Sequence, residues 1–114
     1  MPKYDVPLDW IFHALGDRSR RAMIERLARG PASVTELARP LDMALPSVVQ
    51  HLGVLETAGI VVSTKVGRVR TYQLVIEALT PATAWTTRQR LPAERRLDRL
   101  DAFLSPRTNK ETKR

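Results

Sequence analysis

The sequence predicts a mainly α-helical domain of five helices carrying one small two-stranded β-hairpin. Three observations predict it. Apolar residues recur at three- and four-residue spacing in four short segments bounded by Gly, Pro or capping residues. Two runs rich in β-branched residues flank Val66-Gly67, and a long helical pattern opens at Thr80-Pro81.

Leu8, Ile11, Phe12 and Leu15 stand at i, i+3, i+4 and i+7, the stripe of a first helix, with Gly16 as its stop. Asp17 is placed to cap a second helix, in which Ala22, Met23, Ile24, Leu27 and Ala28 supply the apolar side before Gly30-Pro31. Ser33-Val-Thr-Glu36 has the spacing of a capping box, so a third helix of about two turns runs to Arg39 and is expected to end near Pro40. In the fourth, Pro46 fits a first helical turn, and Leu45, Val48, Leu52 and Leu55 form one buried stripe up to Ala58-Gly59. Ile60–Thr64 and Val69–Leu74 read as hairpin strands whose connection carries Lys65, Arg68 and Arg70. The last helical stretch closes at Ser105-Pro106, with Leu97, Leu100 and Leu104 at the spacing of a helix-pairing seam. Pro92 removes a backbone donor there, so a kink or break is expected near Leu91. Residues 1–105 are thus expected to form one domain, and 106–114 a disordered basic tail.

Composition narrows the function. With 114 residues there is material for one hydrophobic core, and 19 Lys and Arg against 12 Asp and Glu give a formal charge of +7, which favours polyanionic partners. The absence of cysteine excludes disulfides, thiolate metal sites and cysteine nucleophiles. Met43 to Leu55, 13 residues, is the longest stretch without a charged side chain, against the roughly 20 needed to cross a bilayer. No secretory signal can be drawn after Lys3, so the expected location is cytoplasmic, with no membrane partner. Gly-rich phosphate-binding patterns are absent and the two histidines are 38 positions apart, so no catalytic residues, no cofactor and no enzymatic activity are expected. Six scattered aromatic residues make a poor stacking platform for single strands, leaving double-stranded DNA as the favoured partner.

Helix, short turn, helix, then a basic hairpin is the order of a winged helix-turn-helix, whose second helix enters the major groove. A helical wheel of the fourth helix sets Pro46, Ser47, Gln50, Gly53, Val54 and Thr57 opposite Val48, Leu52 and Leu55. That outward face is uncharged and suited to base edges. Gln50 can pair bidentately with adenine, Ser47 can donate or accept, and Pro46 or Val49 can pack on a thymine methyl. The alternative is a merely solvated helix face. Gly53 weakens a helix by up to about 1 kcal/mol relative to Ala, and close approach to DNA would offset that. Since no charge lies between Asp42 and Glu56, phosphate contacts must come from Arg18, Arg20 or Arg21 on the second helix, or from Lys65, Arg68 and Arg70. The three hairpin cations have no evident internal partner, whereas Arg20 and Arg21 can instead pair with Asp17 or Glu25.

The chain resembles the ArsR/SmtB family of bacterial transcriptional repressors over roughly residues 8 to 104. The resemblance rests on Asp17-x-x-Arg20-Arg21, Glu36-Leu37-Ala38, His51-Leu52-x-x-Leu55 and Gly67-x-x-x-x-Tyr72. It implies a homodimer built from the first and last helices and addressing a palindromic operator. The interface candidates are Leu8, Trp10, Ile11, Trp85, Leu97, Leu100 and Leu104, although Trp10 and Trp85 also suit a core. For His51 the family match suggests a phosphate contact, beside the plainer reading of a partly buried imidazole bonding a nearby carbonyl. His13, beside Phe12, is expected to pack or lie on the surface rather than bind a ligand. The sequence departs from the metal sensors of the family. The third helix lacks cysteine, residues 78 to 104 lack histidine, and Glu94, Asp98 and Asp101 sit among arginines as surface ion pairs. No metal site is expected, and the inducing signal, such as a small-molecule effector, is not legible. Ala44 also replaces the usual Ser or Thr cap, and Gly53 a common basic residue. The competing reading is a winged-helix module that uses the neutral fourth-helix face for protein contacts.

Overall fold

In a computed structural model, which describes residues 6–104, side-chain caps set where the early helices begin. Helix α1 (Leu8–Leu15) turns at Gly16 into α2 (Arg18–Leu27), whose first turn is fixed by the Asp17 carboxylate accepting from the Arg20 amide at 3.0 Å. That amide holds the Asp17 carboxyl below the usual carboxylate range. The predicted capping box is present at the head of α3 (Val34–Leu41). The Glu36 amide donates to Ser33 Oγ at 3.2 Å, and the Ser33 amide donates to Glu36 Oε1 at 2.8 Å. Helix α4 (Leu45–Thr57) starts at Ala44 without a side-chain cap.

Three expectations about boundaries are corrected. Helix α3 passes through Pro40 and stops at Asp42, which takes the left-handed conformation at φ 52°. Helix α5 (Thr80–Leu104) likewise continues through Pro92, which overturns the break expected near Leu91 but not a kink. Each proline frees one carbonyl four residues earlier, on Glu36 and Arg88, and both residues are exposed, so water can take the place of the lost donor. The sheet has three antiparallel strands rather than two, in the order β1 (Ala32–Ser33), β3 (Val69–Leu74), β2 (Val61–Val66). Strand β1 pairs Ala32 with Tyr72 and Ser33 with Thr71, which ties the head of α3 to the hairpin.

The hairpin turns on Gly67-Arg68, with Val66 opposite Val69. Gly67 has φ 63° while Arg68 does not enter the positive region, the pattern of a type II′ turn that requires Gly first. A 3₁₀ turn, Ile76–Leu79, then leads into α5.

The chain divides at Ala82 into two units. In the first, α4 packs against α1, α2, α3 and β2, and its Val48, Leu52 and Leu55 are fully buried with Ile11, Met23, Leu37, Ile60 and Val61. Leu45, expected in that stripe, is about half exposed because it lies at the first turn, beyond the layer that covers Val48. The second unit is the helix from Thr83 onward, whose side chains are almost all exposed. The tail 106–114 lies outside the described residues.

Candidate nucleic-acid interface

Burial of Val48, Leu52 and Leu55 on one side of α4 forces the other side outward, because positions about half a turn away cannot also face the core. Pro46, Val49, Gln50, Gly53 and Thr57 are exposed, with Ser47 and Val54 partly covered. The face carries amide, hydroxyl and methyl groups and no formal charge. Trp10 and His13 of α1 border its C-terminal half, forming a shallow groove with Gln50, Gly53, Val54 and Thr57. Sequence reading missed that neighbour, since nothing in α1 alone indicates which helix it lies beside.

Beyond its chain neighbours and the backbone of its own helix, no atom of the described residues comes within 4 Å of a Cβ built on Gly53, so packing does not demand glycine there. Gly53→Ala is therefore expected to raise unfolding stability by about 0.5–1 kcal/mol. If DNA lies against this turn, the same change weakens DNA binding severalfold. A denaturant titration and a binding isotherm on one preparation check both, and higher stability with unchanged binding would remove Gly53 from the contact.

Arg20 is corrected from a phosphate-facing cation to a buried strut, 9% exposed. Its Nε donates to the Ala14 carbonyl at 2.8 Å and Nη2 to the His13 carbonyl at 2.9 Å, satisfying the end of α1. Its Nη1 lies 3.1 Å from His51 Nδ1. Guanidinium has no acceptor, so the imidazole must accept through Nδ1 and carry its proton on Nε2. Asp17 Oδ2 stands 3.8 Å from the same nitrogen. His51 is thus held by α2 from behind, and its Nε2 makes no hydrogen bond among the described residues. Arg20, Met23 and Leu27 at i, i+3 and i+7 mark this arginine as part of the buried stripe of α2, a signal available in the sequence. Arg21 binds the Leu15 carbonyl at 2.7 Å while remaining exposed.

The wing cations separate. Lys65 and Arg70 are cross-strand partners and Arg68 occupies the turn, all exposed. Arg70 has the internal partner that sequence reading did not find. Its Nη1 donates to Ser63 Oγ at 2.8 Å, and that hydroxyl donates to Glu56 Oε2 at 3.1 Å, linking the wing to the last turn of α4. Beneath this chain, burial and then the Glu56 carboxylate push the Tyr72 phenol above its usual range, with Arg70 opposing. Among the described residues the Lys65 and Arg68 side chains make no hydrogen bond or ion pair.

Of the interface candidates, Ile11 is corrected: at 1% exposure it belongs to the core of its own chain, on the same side of α1 as Ala14. Leu8 is partly buried, while Trp10, Trp85, Leu97, Leu100 and Leu104 are substantially exposed. Among the described residues no group of three or more His, Asp or Glu could hold a metal, and no helix is long and apolar enough to cross a membrane.

A short capped helix, a turn, an outward-facing second helix and a cationic hairpin define a winged helix-turn-helix regulator that binds DNA. Residues 15–64 match the family model described as a helix-turn-helix domain. The chain belongs to the ArsR family of transcriptional regulators. It is 50% identical over 74 residues to the HTH-type transcriptional regulator Rv2034 of Mycobacterium tuberculosis, covering 65% of this chain and 68% of that protein. Among solved structures, the ArsR family transcriptional regulator RHA00566 is 48% identical with a TM-score of 0.72, covering 76% of this chain and 96% of that one. An ArsR-like transcriptional regulator from Rhodococcus sp. RHA1 is 29% identical with a TM-score of 0.70, covering 85% and 92%.

Proposed function

We propose that this protein is a cytoplasmic, homodimeric repressor that reads a palindromic operator in double-stranded DNA and does not sense metal through cysteine. The observation that carries this reading is the uncharged, exposed face of α4 around Gln50, with unpartnered Lys65 and Arg68 on the neighbouring wing. Base edges in the major groove are met by neutral donors and acceptors, and phosphates by cations held on another element. Pro46, Ser47, Val49 and Gln50 form the reading set, His51 offers Nε2–H to the backbone, and Lys65 and Arg68 supply most of the electrostatic affinity. Arg70 contributes by bracing the wing against Glu56.

Dimerisation is supported by the second unit. The second unit shows Leu97, Leu100 and Leu104 exposed at three- and four-residue spacing, with Phe103 82% exposed, which makes an apolar seam suited to a partner helix. Leu8 and Trp10 in the first unit and Trp85 in the second add apolar surface. Occupying a promoter as a dimer blocks transcription, and release follows when an effector favours a different dimer geometry.

The double substitution Leu97→Glu/Leu100→Glu tests this reading. Both side chains are exposed, so the fold is expected to survive, while sedimentation shows a monomer and operator affinity falls about a hundredfold as the second half-site contact is lost. A wild-type chain that sediments as a monomer and still binds a two-half-site fragment tightly would contradict it.

A further inference from the structure

Within the first unit, the end of α4 meets the base of the wing and the approach to α5, and small side chains leave the space between them unfilled. Ala58 and Gly59 close α4, Val62 and Val75 stand at the two roots of the hairpin, and Ala78 and Pro81 lead into the last helix. Together they bound a cleft of about 260 Å³. Ile11, itself fully buried, and Val6 complete an almost wholly hydrocarbon wall. The backbone amides nearby are already engaged: Gly59 donates to the Glu56 carbonyl, Val75 to Ile60 and Ala78 to Val75. The exception is Glu77, an exposed carboxylate on the lining that makes no hydrogen bond or ion pair among the described residues.

We propose that this cleft is an effector site for a small apolar amine, its hydrocarbon body against Ile11, Val62 and Val75 and its ammonium on Glu77. The chemistry follows from the lining. A mainly apolar cleft with one anionic group selects a ligand with one cationic end, and a neutral or anionic analogue of the same shape leaves Glu77 without a partner or repels it. The volume suits a one- or two-ring body, since an apolar cavity of roughly 150 Å³ already accepts benzene. The site touches the residues that close the reading helix, strand β2 and the residue that follows β3, so a ligand with different affinity for two arrangements of these elements shifts the population between them. That consequence rests on the DNA-binding reading above, whereas the site itself does not.

The test is an NMR titration of the full-length protein, without DNA, by tryptamine, 3-ethylindole and indole-3-propionate, which share one ring system and differ in charge. Tryptamine is expected to shift the methyl signals of Ile11, Val62 and Val75 saturably and to bind about fivefold tighter than the neutral analogue, with the anion weakest. Glu77→Gln, an exposed change, is expected to abolish the preference for the amine while the neutral analogue still binds. No saturable shift at these methyls, equal affinity for the three probes, or a preference that survives Glu77→Gln overturns the site. Saturating tryptamine is then expected to change DNA affinity severalfold in the wild type, and Glu77→Gln to need about fivefold more tryptamine for the same change. An unchanged wild-type affinity overturns the effector role, and failure to bind DNA at all would instead fall on the DNA-binding reading.

Discussion

Arg20→Ala is expected to lower the unfolding free energy by about 3 kcal/mol, because hydrogen bonds from a charged donor are each worth roughly 1.5–3 kcal/mol and their buried acceptors remain behind. The carbonyls of His13 and Ala14 at the end of α1 lose their donors, and His51 loses the group that holds its ring. A loss of this size lowers the melting temperature by at least about 10 °C in a domain of this length. Arg20→Lys is expected to rescue little, since one ammonium cannot reproduce a planar fork directed at three acceptors. Were Arg20 an exposed phosphate contact, its removal would change stability by less than about 0.5 kcal/mol and act on DNA binding alone. Denaturant unfolding of the two variants distinguishes these cases.

The second large effect is on salt dependence. Between about 50 and 200 mM salt, DNA affinity is expected to fall on the order of a hundredfold, taking about four neutralised phosphates, from Lys65 and Arg68 of each proposed protomer, at roughly 0.9 per phosphate in log–log slope. The competing role for the same neutral α4 face, docking on a protein through apolar contacts, predicts little change over that range, since burial of hydrocarbon is hardly screened. A titration of fluorescent duplex at several salt concentrations measures the slope directly. Removing Arg70 is expected to change the slope less than removing Lys65 or Arg68, because its guanidinium is already engaged by Ser63.

Local chemistry made most of the element order legible before any coordinates. Ser33 and Glu36 stand at the one spacing at which side chain and backbone can satisfy each other, and Asp17 precedes a segment that needs a cap, so both helix starts fell where expected. Strand β1 was not legible, because two residues after Gly30-Pro31 show no alternation, and their pairing is set by Thr71 and Tyr72 forty positions on. Pro40 and Pro92 misled for the opposite reason: a proline's penalty depends on whether the freed carbonyl meets water, a tertiary fact.

In the site, the wheel of α4 placed its outward face correctly because buried Leu and Val residues specify one side by themselves. The cations were harder. Arg20 reads as one member of a basic cluster until its register with Met23 and Leu27 is followed, and the partner of Arg70 lies across the hairpin and beyond, at Ser63 and Glu56. Ile11 shows the same limit, since an apolar stripe on α1 does not reveal whether it meets its own chain or another.

The central division of labour, neutral α4 for sequence and wing cations for affinity, is tested most directly by measuring Gln50→Ala and Arg68→Ala side by side on a bound genomic fragment and its shuffled counterpart at fixed salt. Gln50→Ala is expected to reduce the preference for the true site by about 1–3 kcal/mol while leaving shuffled DNA nearly unaffected, and Arg68→Ala to weaken both duplexes alike. Equal losses from both substitutions on both duplexes would contradict the account.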